Sequence, residues 1–137
     1  MSAHSMKDRL IEAAIEARLG AYVPYSHFEV GAALLADGKI YSGCNIENAS
    51  FGLTNCAERT AIFKAVSEGG RRIEAIAVVA DTDGPVSPCG ACRQVIAEFA
   101  DKDTLIYLTN LNGNTEEWTL DRLLPGYFQA GDMEKTK

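Results

Sequence analysis

The chain of 137 residues has no apolar run approaching the ~20 residues that a membrane-crossing helix needs, so no such helix is expected. Its opening stretch, Met1-Ser2-Ala3-His4-Ser5-Met6-Lys7, lacks the apolar core of a secretory signal and runs straight into a charged amphipathic pattern, which predicts a cytoplasmic protein. Basic residues are in deficit, 13 Lys and Arg against 19 Asp and Glu, for a net charge of −6, and they form no cluster. A protein that grips a polynucleotide needs clustered cations to displace counterions from phosphates, so no polynucleotide partner is expected. The expected partner is a small, uncharged molecule. Cysteine is scarce at four residues, and two of these stand in a metal-like pair, which fits a reducing compartment better than a disulfide framework. Internal repeats and linkers are also lacking. With 47% hydrophobic and 23% charged residues, the composition predicts one globular domain over residues 1–137, with a polar tail from about residue 129.

What is present centres on Thr54-Asn55-Cys56-Ala57-Glu58-Arg59 and Pro88-Cys89-Gly90-Ala91-Cys92-Arg93. Cys89 and Cys92 have the two-residue separation that lets neighbouring thiolates grip one metal, and Cys56 offers a third sulfur from elsewhere in the chain. Structural zinc is normally closed by four protein ligands, whereas catalytic zinc keeps one position for water. Three sulfurs with a carboxylate two residues beyond Cys56 therefore point to catalytic zinc, with Glu58 as proton carrier. Arg59 is placed to donate to thiolate sulfur and to offset the net −1 that three thiolates leave on a divalent cation. Each feature has a plainer reading. The Cys-x-x-Cys pair also suits redox chemistry, Glu58 also suits an Asn55-x-x-Glu58 capping box, Arg59 also suits a surface ion pair, and Cys44 would close a structural site if it were a fourth ligand. Cys44 ends a strand-like run beside Gly43 and is read as a small buried cysteine without a metal role.

In chain order, Leu10, Ile11, Ala14, Ile15, Ala17 and Leu19 recur at helical spacing after Ser5, and Gly20 ends that helix. Phe28 to Leu35 and Ile40 to Asn45 read as two strands joined by the Asp37-Gly38 hairpin turn. Alternation in an extended chain sets Asn45 and Glu47 on one face and turns Ile46 to the core. From Cys56 a helix runs to Gly69-Gly70, followed by a buried strand, Ile73 to Ala80, and a loop to Pro88. A helix starts at Cys89, a strand covers Thr104 to Thr109, Asn112-Gly113-Asn114 turns, and Thr119 to Leu124 forms a short helix before Pro125-Gly126. Both halves of the metal motif thus fall at helix N-termini, where free N–H groups and a partial positive charge favour thiolate over thiol. Alternating elements of this kind predict an α/β fold, a three-layer α-β-α sandwich around a mixed β-sheet.

Tyr25-Ser26-His27-Phe28, Gly43-Cys44-Asn45-Ile46-Glu47-Asn48-Ala49, Asn55-Cys56-Ala57-Glu58-Arg59-Thr60, Ser87-Pro88-Cys89-Gly90-Ala91-Cys92-Arg93-Gln94 and Leu123-Leu124-Pro125-Gly126 follow one another in an order that resembles the small, homotetrameric cytidine deaminases along nearly the whole chain. The resemblance implies one zinc per chain on Cys56, Cys89 and Cys92, with Glu58 as the proton shuttle of a hydrolytic deamination at C4 of cytosine. It further implies that Asn45 and Glu47 hold ribose hydroxyls, that Phe28 faces the pyrimidine, and that Phe128 reaches into a neighbouring subunit of a tetramer. Cytidine and 2′-deoxycytidine are then the substrates, in pyrimidine salvage. Phe51 departs from the tyrosine common in the family, and His4 and His27 stand outside the ligand set. Two other readings share the metal motif: a deaminase of a cytosine nucleoside antibiotic of the blasticidin type, against which Asn45-Ile46-Glu47 argues, and a structural zinc module for protein contacts, against which Glu58 argues.

Overall fold

The computed structural model describes residues 5–129, apart from the side chain at position 51. His4, the tail beyond Gln129 and any contact made by the Phe51 ring lie outside the described residues. Helix α1 spans Met6–Arg18, and Ser5 caps it by accepting a hydrogen bond from the Asp8 amide at 3.2 Å. Strands β1 (Val30–Ala36) and β2 (Lys39–Cys44) form a hairpin. Its two-residue turn has Asp37 at φ 51° and Gly38 at φ 81°, the left-handed pair that matches the twist of the strands. Helix α2 (Ala57–Ser67) leads to β3 (Ile73–Ala80), α3 (Gly90–Phe99) to β4 (Leu105–Asn110), and then come β5 (Thr115–Thr119) and the short α4 (Leu120–Leu123).

The sheet has the order β2-β1-β3-β4-β5 and is mixed: β3 and β4 are parallel, joined through α3, and every other pairing is antiparallel. Strand alternation divides the core into two layers. Ala32, Leu34, Ile76, Val78, Ile106 and Leu108 face one way, against Ala57, Ala61, Ile62 and Ala65 of α2, Ile96 of α3, and Leu120 and Leu123 of α4. Ala33, Ala75, Ala77, Val79 and Tyr107 face the other, against Leu10 and Ala14 of α1. The result is an α/β sandwich with helices on both faces of the sheet.

Strand β5 is absent from the sequence reading. Thr-Glu-Glu-Trp-Thr carries no run of apolar alternation, and it becomes a strand because it pairs with β4 in register from Leu105–Thr119 to Thr109–Thr115. Its adjacent glutamates, both exposed, leave a charged outer edge that discourages pairing with another sheet.

Two glycines set how closely the helices approach. A Cβ on Gly31 would lie 2.0 Å from the Ala14 carbonyl oxygen and 2.8 Å from the Arg18 amide, so α1 rests on bare β1 backbone. A Cβ on Gly43 would lie 2.6 Å from the Ala61 amide, which brings α2 down onto β2. Backbone cannot step aside as a side-chain tip can. Gly31→Ala is therefore expected to destabilise the fold by about 1–3 kcal/mol or more, the usual cost of overpacking, and to lower the melting temperature by several degrees. Gly84→Ala, whose Cβ would meet nothing within 4 Å, is the matched control and should melt close to the parent.

Candidate active site

Two of the three helices over the first core layer begin at cysteines. Cys56 is the N-cap of α2 (φ −75°, ψ 156°) and Cys89 the N-cap of α3 (φ −69°, ψ 167°). Cys89 Sγ caps its own helix by accepting from the Cys92 amide at 3.4 Å, and Cys92 is buried in the first turn. The capping-box alternative for Glu58 is not what forms: no side chain caps α2, and Asn55 Nδ2 donates instead to Thr60 Oγ1 at 3.1 Å. Glu58 is left free of that role.

The sulfurs of Cys56, Cys89 and Cys92 lie within 4.8 Å of one another, with Cys56 3.9 Å from Cys89 and Cys89 3.3 Å from Cys92. Tetrahedral zinc with bonds of ~2.3 Å sets its sulfurs about 3.8 Å apart, so this donor set fits one such ion and leaves a position open. Cys44 stands apart from the cluster, near Gly20, and burial raises its pKa. The thiols also respond to one another. A hydrogen bond from the Cys92 thiol, helped by Arg59, holds Cys56 down to about 5 against the opposing effect of burial. Cys92 moves the other way, because Cys56 holds its proton in place and burial adds to the effect. Cys56 and Cys92 therefore do not ionise together unaided, and a divalent cation would favour the thiolate of each.

Arg59 Nη2 donates to Cys56 Sγ at 3.3 Å, and this bond is the main reason its guanidinium is held still more firmly in the charged form. Its Nε is buried without a partner among the described residues. Glu58, in the first turn of α2, is 4% exposed, and burial raises its carboxyl to about 7. Its own backbone amide and Arg59 act against that rise, while Cys56 adds to it. A carboxyl balanced near neutrality can both take and return a proton.

Cys56, Glu58 and Cys89 meet in a cavity of about 210 Å³ whose other walls are Phe28, Val30, Asn45, Thr54, Ala57, Val78, Val86 and Ser87. A larger hollow of about 510 Å³, lined by Asp101, Lys102, Asp121 and Tyr127 among others, has no sulfur or buried acid. The walls Val78, Val86, Thr54 and Ser87 were not singled out as site residues from sequence. Only Thr54 and Ser87, which lie in the two cysteine motifs, carry a positional hint.

Asn45 and Glu47 both turn toward the loop that carries Phe28. Asn45 Oδ1 accepts from the Val30 amide at 2.9 Å and its Nδ2 donates to the Phe28 carbonyl at 2.8 Å. Glu47 Oε1 accepts from the amides of Tyr25 (3.0 Å) and Ser26 (3.1 Å), and Oε2 accepts from the Ser26 hydroxyl. The Ser26 hydroxyl is the main reason the Glu47 carboxyl lies below its usual range. His27 follows with φ 59°, and the loop turns there to present Phe28, which is 42% exposed. Asn45 lines the cavity; Glu47 does not border it. The expectation that Ile46 points to the core is corrected: it is 42% exposed. Its backbone bridges both Tyr22 and Asn55, so the main chain is tied on two sides while the side chain faces out. Phe128 is 56% exposed and lies outside the cavity of its own chain, with its carbonyl held by Gln94 Nε2 at 2.8 Å.

The family model described as the cytidine and deoxycytidylate deaminase zinc-binding region matches residues 4–108. A cytidine deaminase of Sporosarcina psychrophila is 64% identical over 127 residues, covering 92% of this chain and 93% of its own. One from Halalkalibacterium halodurans is 65% identical over 128 residues, covering 93% and 97%. The crystal structure of a cytidine deaminase from Burkholderia pseudomallei superposes with a TM-score of 0.85 at 52% identity, covering 93% of this chain and all (100%) of that one. With its three-sulfur cluster lying inside the matched residues, the chain belongs to the cytidine and deoxycytidylate deaminase zinc-binding family.

Proposed function

We propose that this protein is a zinc-dependent cytidine deaminase that converts cytidine and 2′-deoxycytidine to uridine and 2′-deoxyuridine with release of ammonia, in pyrimidine salvage. The observation that carries the reading is a buried carboxyl, Glu58, lining one cavity with Cys56 and Cys89, whose sulfurs lie within 4.8 Å of that of the buried Cys92, with no fourth protein ligand among the described residues. Cys56, Cys89 and Cys92 hold one zinc per chain, which when bound supplies the Lewis acidity that makes water a nucleophile at neutral pH. Glu58 removes a proton from the attacking water and returns protons to N3 and to the departing amine of the base. Its low exposure keeps bulk water from competing for those protons. Phe28 and the valine walls receive the pyrimidine face, and Asn45 and Glu47 hold the ribose hydroxyls while bracing the 25–28 loop. The chain acts as one domain in a cytoplasmic homotetramer, in which Phe128 completes a neighbouring subunit's site.

Steady-state ultraviolet assays on cytidine, 2′-deoxycytidine, free cytosine and a blasticidin-type nucleoside separate this reading from the antibiotic-deaminase alternative. Metal analysis should find one zinc per chain. Glu58→Gln is expected to retain that zinc and the fold while turnover falls by about 10²–10⁴-fold or more, the range of general acid–base catalysis. A normal rate in this variant would remove the proton-carrier role.

Asn45→Ala and Glu47→Ala should each raise KM for cytidine by roughly tenfold, the effect of losing a hydrogen bond to a polar or charged group. Free cytosine should stay a poor substrate of the parent and of both variants. Unchanged cytidine kinetics in both would eliminate the ribose role.

For Arg59 the sign follows from charge. Three thiolates outweigh a divalent cation by one negative charge, which makes loss of a proton from the attacking water harder, and Arg59 offsets part of this. Arg59→Gln is expected to lower kcat by about 10–100-fold, as changes around metal ligands typically do, and to move the acidic limb of the pH–rate profile to higher pH. A profile that overlays the parent's, with zinc retained, would leave Arg59 only its bond to Cys56.

A further inference from the structure

After α4 the chain turns at Gly126, φ 67°, and runs as a short strap to Phe128. Two consecutive residues of α3 hold the two ends of this strap. Arg93 Nη1 donates to the Leu123 carbonyl at 2.6 Å, and Gln94 Nε2 donates to the Phe128 carbonyl at 2.8 Å. The same guanidinium reaches back toward the metal cluster, with Nε donating to the Pro88 carbonyl at 3.0 Å and Nη2 to Ser87 Oγ at 2.7 Å. One side chain thus joins the residues just before Cys89 to the start of the strap.

Between these anchors Tyr127 packs against the core, whereas the Phe128 ring remains 56% exposed. Fastening the main chain at the very residue whose ring is left out fixes the root of an aromatic side chain without burying it. Such an arrangement adds little to the stability of its own chain. It does lower the ordering cost of a contact made by the ring elsewhere, as a pre-organised aromatic anchor does.

We propose that Gln94 and Arg93 are positioning residues that act in trans: they hold the strap of their own chain so that Phe128 meets the substrate in a neighbouring subunit's cavity. The inference rests on the reading of Phe128 and of the assembly given above, and adds the groups that aim the ring. Helix α3 then serves two sites at once, binding metal through Cys92 in its own subunit and carrying an aromatic contact to the next.

The test uses Gln94→Glu, which keeps the shape of the side chain but turns a carboxylate oxygen toward the Phe128 carbonyl; Gln94→Leu serves if that protein does not fold. The variant should keep the parent's zinc content, oligomeric mass and kcat within about twofold, while KM for cytidine rises about tenfold, the size that losing one base–aromatic contact implies. Gln94→Glu subunits are then co-expressed with differently tagged Glu58→Gln subunits, which turn over nothing themselves but carry an intact strap, and the hybrids are purified. If Gln94 acts in trans, KM at the remaining active sites returns toward the parent value in the hybrids. A parental KM in the Gln94 homo-oligomer, or a KM that stays high in the hybrids, overturns the inference and leaves the assembly reading standing. A fully active monomer in light scattering overturns the assembly reading itself, and this inference with it.

Discussion

Everything around this site depends on bringing three sulfurs and a buried carboxyl into one small volume. Close acids resist ionising together: the Cys92 thiol keeps its proton for Cys56, so the two shift in opposite directions, while burial, with a smaller contribution from Cys56, holds the Glu58 carboxyl near 7. Three features of the fold address that repulsion. Cys56 and Cys89 sit at the positive ends of α2 and α3, Arg59 donates to Cys56 from the first turn of α2, and the sulfur spacing suits a divalent cation. Each depends on α2 and α3 presenting their first turns to the same side of the sheet, and the shared core layer beneath them provides this. The seating of α2 on Gly43 fixes where that first turn lies, so a backbone contact at the edge strand helps determine a sulfur position at the centre.

Much of this was legible in the sequence because its signals are local. Ser5 caps α1, Asp37-Gly38 closes the hairpin, and Ile73–Ala80 is a strand to the residue, since capping, turn chemistry and an unbroken β-branched run each act over a few residues. The cysteines could be assigned to helix starts for the same reason. What escaped was decided by partners distant in the chain. Thr115–Thr119 has no pattern of its own and is a strand because β4 offers an unpaired edge. Ile46 follows alternation only if its segment is an ordinary strand, yet the backbone there bridges Tyr22 on one side and Asn55 on the other and turns the side chain out. The capping box failed because α2 starts one residue later than that pattern needs: Cys56, not Asn55, is its N-cap.

Asn45 and Glu47 show how a polar side chain can brace a loop and keep hydrogen-bonding capacity for the proposed ribose contact. Asn45 spends one acceptor and one donor on Phe28 and Val30, and Glu47 accepts from two amides and a hydroxyl of the 25–26 segment. An amide has two donors and an oxygen with two lone pairs, and a carboxylate has about four acceptor positions, so neither is exhausted by these bonds. The loop strain at His27 is held by the same groups that face the nucleoside in the proposed function. Loss of Asn45 therefore loosens the seat of Phe28 as well as removing a polar contact. Sugar recognition and base stacking are not independent energies in such a site, and changes at Asn45 and Phe28 should be non-additive.

Burial of Glu58 also has a thermodynamic sign. Its carboxyl is raised in the folded chain to about 7, so the protonated form is favoured relative to the unfolded state, and the associated stability is present at low pH. That contribution declines as pH rises from the ordinary carboxylate range through about 7, which includes the range in which the proposed proton carrier needs the carboxylate form. The proposed catalytic use and fold stability thus pull in opposite directions at one side chain. A divalent cation on the adjacent sulfurs offsets the conflict, because it offers Glu58 and the thiolates a positive charge that the unfolded chain does not organise. Metal affinity and folding would then be linked through the same four acids, and Cys89, the exposed member of the three cysteines, is where that linkage would be most open to solvent.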